Sequence, residues 1–282
     1  MATLKNKIDF MALVVVNNAN PNGDPSNENR PRQTTEGFGE ISDVCIKRKM
    51  RNRLQDMGET IFVQSNDRCD DGCASLAERA KSNECISQAL KNKDAELYKN
   101  TACETWMDVR AFGQVFAFKG ETTSISVRGP VTVHPAFSVC PIDIREVQIT
   151  KSVNGETTSS GERASDTMGM NYRTSGLYVL KGSISPQLAE VTGFTEEDAE
   201  KIKEALRTLF CGDASSARPD GSMELAKLYW VKHNCKLGQY STAKVHRMLN
   251  ITAICDNPKC LEDYEIKLEK LSELDVEEIE GL

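Results

Sequence analysis

The chain has 282 residues, of which 39% are hydrophobic and 27% are charged, and these fractions exclude a wholly disordered protein. Its net charge of −7 argues at first against a nucleic-acid partner. Residues 262–282, with nine acidic and two basic side chains, account for all of that charge, so the rest of the chain is neutral overall and can still present a basic stripe.

The first half of the chain predicts a strand, a polar loop, a helix and an insertion. Residues 8–17 are β-branched and almost wholly apolar, which predicts a strand buried on both faces. Residues 17–32 contain several prolines and asparagines and predict a loop. Residues 42–57 carry one apolar stripe at helical spacing and predict a helix. We interpret the polar residues 59–105 as an insertion, within which residues 75–98 are largely helical.

The second half predicts mostly strands, with one well-marked helix. Strands are expected at residues 106–118, 123–134, 176–185 and 225–233, and the helix at 195–210. Residues 150–175 predict a long loop or protruding hairpin, and residues 261–282 a solvated or disordered acidic tail. A tail that screens a basic surface or holds a neighbour is the alternative. The order approximates βαββαβ, an α+β, ferredoxin-like arrangement that RNA-recognition modules share.

The loop after the first strand and the basic helix form a first candidate site. Glycine and asparagine let backbone amides face outward, and arginine and lysine on adjacent segments supply charge, as contacts to phosphates require. The predicted contacts are Asn20, Asn22, Gly23, Arg30, Arg32, Lys47, Arg48 and Arg51. The alternative is an ordinary turn beside an ordinary solvated helix face.

Two further segments are candidates for contact with nucleic acid. In residues 150–175, Met168 and Met170 are apolar side chains that can wedge between bases, and the predicted set also includes Asn171 and Arg173. The alternative is a mobile surface loop. A weaker phosphate-contact group is predicted at Lys244, His246 and Arg247, although a structural role is the alternative for the histidine.

Other kinds of site find little support in the sequence. The ten cysteines include no tight pair of zinc-ligand spacing and no secretory signal accompanies them, so we expect reduced thiols, no metal, no cofactor and a cytoplasmic protein. No zinc-protease, dinucleotide-binding, P-loop or nucleophile-elbow motif occurs, and we expect no enzymatic activity. No apolar run is long enough to span a membrane.

Several sequence motifs occur together and in order. They are NPNGDP at residues 20–25 with NRPR at 29–32, IKRKMR at 46–51, SVRGPV at 126–131, SDTMGMNYR at 165–173 and KLGQYSTAKVHR at 236–247. Together they closely resemble the crRNA-binding backbone subunit of type I-C Cascade, a CRISPR surveillance complex, over residues 8–254. The cysteines, the insertion and the acidic tail carry no motif of that family.

The resemblance implies a hand-like fold and a non-catalytic role. It implies an RRM-like palm with an inserted fingers-like helical region and a protruding thumb: palm 1–58, 106–149 and 174–260, fingers 59–105, thumb 150–173 and the acidic tail 261–282. The implied partners are the guide crRNA, further copies stacked head-to-tail, other type I-C Cascade subunits and the complementary strand of a DNA target, which the guide reads by base pairing. A metal-dependent RNA-processing nuclease and a protein-only scaffold are the alternatives.

Overall fold

A computed structural model describes residues 2–118, 124–157, 159, 161, 163 and 166–282. The α-helices are α1 Asp43–Asp56, α2 Leu76–Ser82, α3 Glu84–Asn92, α4 Ala95–Thr105, α5 Met107–Phe112, α6 Pro186–Thr192, α7 Glu196–Arg207 and α8 Thr242–His246. The strands are β1 Ile8–Ala19, β2 Gly23–Asp24, β3 Arg30–Pro31, β4 Phe38–Ile41, β5 Gly113–Phe116, β6 Ile125–Arg128, β7 Val131–Val133, β8 Ala136–Pro141, β9 Arg145–Lys151, β10 Asp166–Ile184, β11 Met223–Lys232, β12 Leu249–Ala253, β13 Tyr264–Leu268 and β14 Val276–Glu280.

A large antiparallel sheet organises this mixed α/β fold. Its strand order is β14-β11-β1-β10-β8-β4, and β7 and β9 also pair with β10. Strand β1 lies between β10 and β11 and is antiparallel to both. Its residues are buried from Ile8 to Val16, so the predicted strand with two buried faces is confirmed.

The two faces of the sheet are covered by different parts of the chain. On one face, Phe10 and Val14 of β1 pack in a core that includes side chains of α1 and α7. On the other, Met11 and Leu13 pack in a second core with side chains of α8, β12 and β13. The residues of β1 alternate between these cores because successive side chains of a strand point to opposite faces. Helix α1 begins after Ser42, close to the predicted start at residue 42. The Ser42 hydroxyl caps the helix by accepting from the N–H of Cys45.

The inserted region has its own core. Helices α2, α3 and α4 confirm the predicted helical character of residues 75–98. A third cluster of buried side chains includes Phe62, Tyr98, Trp106 and Phe116. The rings of Phe62 and Phe116 lie 5.1 Å apart between centroids, and those of Tyr98 and Phe116 lie 4.9 Å apart. Aromatic pairs at such distances add to the stability that burial gives.

The strand predicted at residues 106–118 is wrong for its first half, which forms helix α5. Met107, Val109 and Ala111 are all buried, a spacing of two that imitates a strand. The short helix lies between two cores: Met107 and Ala111 belong to the core beside the sheet, and Val109 belongs to that of the insertion. The apolar residues of α5 are therefore spaced as in a strand because the helix is buried on two sides.

Two other stretches differ from their predicted form. The strand expected at residues 123–134 is two strands, β6 and β7, separated by Gly129 and Pro130. Strand β6 pairs with β5, whereas β7 pairs with β10 of the large sheet. Residue 123 lies outside the described residues. The protruding segment at 150–175 is the hairpin that we considered, because β9 pairs with the first part of β10. Part of the predicted thumb, including Ser165, lies outside the described residues.

The expectation of disorder in the acidic tail is wrong for residues 264–268 and 276–280, which form strands, whereas most of the acidic side chains are exposed to solvent as expected. Strand β13 pairs with β12, and β14 pairs with β11 at an edge of the large sheet. The acidic residues of β14 find basic partners: Glu277 lies 3.0 Å from Lys203, and Glu278 lies 3.4 Å from Lys227. Ile279 packs against the core beside the helices. One of these basic partners lies on the neighbouring strand β11 and the other on helix α7, and pairs of opposite charge stabilise such a strand despite its net charge.

Candidate nucleic-acid interface

The loop after β1 is held by its own asparagines. The Asn22 carboxamide oxygen accepts from the backbone N–H and the hydroxyl of Ser42, at 2.9 and 2.8 Å, which fixes the loop to the start of α1. The Asn20 side chain donates to the carbonyl of Asn29 at 2.6 Å. A Cβ at Gly23 would lie 3.0 Å from that same carbonyl oxygen, so close packing explains the glycine. These predicted residues therefore build the loop.

The loop is joined to the β9–β10 hairpin by polar contacts. The Tyr172 hydroxyl donates to the carboxylate of Glu28 at 3.0 Å. The Arg30 guanidinium lies 4.5 Å from the centre of the Tyr172 ring and 2.6 Å from the Glu146 carboxylate on β9. The hydrogen bond with Glu146 raises the pKa of Arg30. The structure thus brings together the first two predicted sites, which are far apart in sequence.

The predicted basic residues of α1 differ in how far their charges are engaged. Lys47 is partly exposed, and its one ion pair with the described residues is the (i,i+4) contact with Asp43 at 3.1 Å. Arg48 donates to the carbonyl of Val63 at 2.9 Å, and partial burial lowers its pKa. Arg51 donates to the buried carboxylate of Asp108 at 2.9 Å. Lys47 therefore makes a local contact on its own helix, whereas Arg51 joins α1 to α5.

A second basic group beside the loop was missed. Lys49 has only 4% of its side chain exposed and pairs with Asp213, which also accepts from Arg218 at 3.2 Å. Burial lowers the pKa of Lys49 in spite of that carboxylate. Two cations share one carboxylate here, which leaves a positive charge near the loop. Lys49 flanks the apolar stripe of α1, and that position is the only sequence signal of its burial.

Buried polar atoms at the end of β1 lack partners within the described residues. They are Asn20 Oδ1, Arg32 Nε, Thr174 Oγ1 and Ser222 Oγ. The backbone connects them: the N–H of Asn17 donates to the carbonyl of Ser222 and Ala19 pairs with Thr174. Unsatisfied polar groups of this kind cost free energy unless water or a ligand satisfies them. Arg32 also lies 3.4 Å from Asp24.

The hairpin presents methionines outward. Met168 and Met170 have 66% and 43% of their surface exposed, and Met168 lies at the register shift between Thr167 and Gly169. Asn171 is half-buried. Arg173 is engaged at the base of the hairpin, where it donates to the carbonyls of Asn18 and Ser216 at 2.9 and 3.0 Å. The methionines are therefore free to contact a ligand, whereas Arg173 positions the hairpin.

The third predicted group lies apart from the other two. His246 donates from Nε2 to the carbonyl of Gly182 at 3.0 Å. Tyr172 lies ten residues from Gly182 on the same strand, which is about 34 Å at 3.4 Å per residue. His246 is buried and burial lowers its pKa, so the ring is neutral near pH 7. Lys244 and Arg247 are exposed, and Lys244 lies 4.4 Å from the centre of the Tyr240 ring.

The cysteines and acidic residues give no metal site among the described residues, where no group of three or more potential ligands comes together. The pKa of Cys103 is raised to about 11 by burial. In the insertion, the hydrogen bond from Arg79 holds the pKa of Asp71 well below its usual value, and the same guanidinium lies 3.5 Å from the Cys69 sulfur. Within the described part of the chain, no helix is long and apolar enough to cross a membrane.

Known proteins resemble this chain in sequence and fold. A CRISPR-associated protein Cas7 of Haloferax volcanii is 26% identical over 220 residues, which are 72% of this chain and 63% of that relative. The chain thus spans less than two thirds of the relative's length. A solved chain of a CRISPR RNA-guided surveillance complex, pre-nicking, aligns with a TM-score of 0.51 and 16% identity over 80% of this chain and 78% of its own. The model of the family CRISPR-associated protein Cas7 matches residues 6–269, and the chain belongs to that family.

Proposed function

We propose that this protein is the non-catalytic, crRNA-binding backbone subunit of a type I-C Cascade. The contact between the loop after β1 and the β9–β10 hairpin is the observation that carries the proposal. Arg30 joins Glu146 and Tyr172 there, so two segments that independently resemble RNA contacts form one surface. The exposed methionines lie on the same hairpin as Tyr172, and partly exposed Lys47 lies on the helix whose start is fixed to the loop by Asn22. Such a set contacts phosphates and bases without reading base edges, as a guide of any sequence requires.

The strand order supports an RRM-like palm. The chain order is β1, α1, β7 with β8, β10, α7 and β11. In the sheet, these strands lie in the order β11-β1-β10-β8, and β7 also pairs with β10. This is the antiparallel arrangement of a ferredoxin-like βαββαβ unit. In the proposal, residues 59–105 are the fingers and the β9–β10 hairpin is the thumb.

Copies of the chain stack head-to-tail on one guide in the proposed complex. Such heterologous contacts form open helical assemblies when the rotation between copies does not close. The complementary strand of a DNA target then pairs with the exposed guide bases, so that sequence specificity belongs to pairing. We place this assembly in the cytoplasm with other type I-C Cascade subunits.

The test is fluorescence polarisation of the full chain with single-stranded RNA and with duplex DNA of equal length, over a series of salt concentrations. We expect RNA binding that grows with length and weakens with salt. Lys47→Gln removes an accessible cation and should flatten the logarithmic salt slope by about 0.7. Lys203→Gln is the matched control, because Lys203 also pairs with a carboxylate on its own helix, Glu200 at 2.6 Å.

Two results would contradict the proposal. Wild-type protein that binds no single-stranded RNA at low salt, alone or with the other subunits of the complex, would leave a protein-only scaffold. Cleavage of a repeat RNA by this chain alone would instead indicate a processing nuclease. Equal salt slopes for Lys47→Gln and Lys203→Gln would remove Lys47 from the interface without removing the function.

A further inference from the structure

A groove of about 330 Å³ opens on the sheet face opposite α1 and α7. It is lined by residues of β8 and β10 and of the turn before β8: His134, Pro135, Phe137, Ser138, Val139, Val179 and Lys181. Phe137 and Val179 are direct partners in the antiparallel pairing of β8 with β10. The backbone N–H of His134 donates to the carbonyl of Lys181 at 2.9 Å, which fixes the end of the groove.

The groove lies beside the part of this sheet face that α8 and the β12–β13 pair bury. Helix α8 and the β12–β13 pair bury Met11 and Leu13 of the central strand. Phe137, in contrast, keeps 43% of its surface exposed. The His246 ring of α8 meets His134 edge to face, with 5.5 Å between centroids, and forms the boundary between the covered and uncovered parts.

Of the described residues that line the groove, Lys181 is the only lysine or arginine, and none is acidic. Lys181 is half-buried, and burial lowers its pKa. Within the part of the chain that the structure describes, its amine has no hydrogen bond or ion pair, and no carboxylate lines the groove. Glu40 is the neighbour of Phe137 on the edge strand β4 and lies outside the lining. Partial burial of a charged amine without a counter-ion costs free energy, and a bound anion offsets that cost.

We propose that this groove binds one unpaired nucleotide of a single-stranded nucleic acid, with the base on the Phe137 ring and the phosphate on Lys181. An exposed aromatic ring beside a cation on neighbouring strands is the arrangement that single-strand binders use, and it is tolerant of sequence because every base has a face to stack. The groove volume lies at the small end of ligand sites, which suits a nucleotide better than a peptide segment. The inference rests on the proposed RNA-binding function and adds a second contact, on the sheet face that α8 and the β12–β13 pair partly cover.

The test measures separately how much the Phe137 ring and the Lys181 charge contribute to RNA binding. The full chain is titrated with single-stranded oligouridine RNA over a salt series. Phe137→Ala should weaken binding by about fivefold or more with an unchanged salt slope, since stacking is worth at least about 1 kcal/mol. Phe137→Tyr keeps the ring and should bind like the wild type. Lys181→Gln should weaken binding and flatten the logarithmic salt slope by about 0.7.

Matched controls are available elsewhere on the surface. Leu237→Ala removes a large apolar side chain that is 81% exposed, and Lys99→Gln removes an exposed lysine of α4. Thermal melting checks each fold, and Phe137→Leu replaces the alanine variant if that variant unfolds.

The outcomes distinguish the groove from the proposed function. If Phe137→Ala and Lys181→Gln bind RNA like their controls while the wild type binds tightly, the nucleotide site is overturned and the RNA-binding function stands. If Phe137→Ala instead loses self-association in sedimentation without RNA and keeps its RNA affinity, the groove docks protein and the inference fails. If the wild type binds no RNA, the proposed function and the nucleotide site fail together.

Discussion

The Arg30 guanidinium stacks on the Tyr172 ring, 4.5 Å from its centre, and thereby joins the loop after β1 to the hairpin. The same guanidinium reaches Glu146 on the opposite strand of the hairpin at 2.6 Å. One side chain of the loop therefore contacts both strands of the hairpin, so the orientation of the hairpin depends on the loop.

Arg30→Ala should loosen the hairpin without unfolding the protein. Both the stacking and the ion pair are lost, and their contribution to overall stability is small because Arg30 and Glu146 are partly exposed, although the Tyr172 ring is buried. Hydrogen exchange of the amides in β9 and the first part of β10 should accelerate, with β1 and β11 unchanged. Tyr172→Phe keeps the ring and loses only the bond to Glu28, so its effect should be smaller. Equal exchange in Arg30→Ala and wild type would mean that the hairpin is held elsewhere.

Arg51 and Lys47 should respond differently to the same substitution. Arg51→Gln leaves the Asp108 carboxylate without its ion-pair partner, and Asp108 has only 1% of its side chain exposed. We expect the free energy of unfolding to fall by about 3 kcal/mol, at the low end for a broken buried ion pair. The loss is at the low end because the N–H groups of Phe62 and Val63 still donate to Asp108. Lys47→Gln should leave stability nearly unchanged and weaken RNA binding. Denaturant unfolding measures the first effect, and an Arg51→Gln variant as stable as Lys47→Gln would contradict it.

The periodic elements of the fold could be predicted, because local residues determine them. The apolar run of β1 and the stripe of Ile46, Met50 and Leu54 in α1 identified both elements correctly. Helix α5 and strand β14 could not be predicted, since each depends on distant partners. Two separate cores bury α5 from both sides, and the acidic β14 forms against Lys203 and Lys227.

The candidate site was predictable in its segments and less so in its side chains. Periodicity gives the face of a helix on which a basic residue lies, but not which carboxylate folds against that face. Arg51 meets Asp108 and Lys49 meets Asp213, and both acids come from segments that are remote in sequence. The contacts of Lys47 are local, so its accessibility followed from the sequence. Tyr172 was overlooked because its partners, Glu28 and Arg30, lie in the first loop.

Asp213 should be essential for stability because it neutralises a buried lysine. Asp213→Asn leaves Lys49 buried without its counter-ion, and breaking such a pair costs about 3–5 kcal/mol. Asp220→Asn, at an exposed position of the same loop, is the control and should change stability little. Unfolding by urea compares the two. An Asp213→Asn variant of wild-type stability would show that Arg218 and solvent rearrange to accommodate the lysine.

Acid should destabilise the fold through His246. Burial lowers its pKa in the folded protein, while the unfolded chain takes up a proton near pH 6.5. The folded state therefore binds fewer protons than the unfolded state. The stability that this gives is complete above that pH and is lost as the pH falls below it, by at most about 1.4 kcal/mol at pH 5.5. Asp9, His134 and Lys181 face the ring, and Asp9, whose pKa is lowered, titrates well below this window.

The variant His246→Gln should reduce the difference in unfolding free energy between about pH 7.5 and 5.5, because glutamine can donate to Gly182 and does not titrate. Denaturant unfolding at the two pH values measures it. A variant with the same pH dependence as the wild type would assign that dependence to other groups. RNA binding at pH 7 should be unaffected, in contrast to the variants Lys244→Gln and Arg247→Gln.

The exposed methionines of the hairpin should affect the shape of the bound guide more than its affinity. Met168 and Met170 lie outside the hairpin's contacts with Glu28 and Arg30, and apolar side chains can wedge between bases. The double variant Met168→Ala with Met170→Ala removes both wedges and no charge, so the salt dependence of RNA binding should persist. The resemblance to the Cascade backbone subunit implies a thumb that displaces a guide nucleotide at a regular interval. In the double variant, chemical probing of a guide in the assembled complex should no longer show regularly spaced reactive nucleotides, whereas Val191→Ala, at an exposed apolar residue of α6, should preserve them. An unchanged pattern in the double variant would mean that the backbone of the hairpin, and not its methionines, displaces the nucleotide.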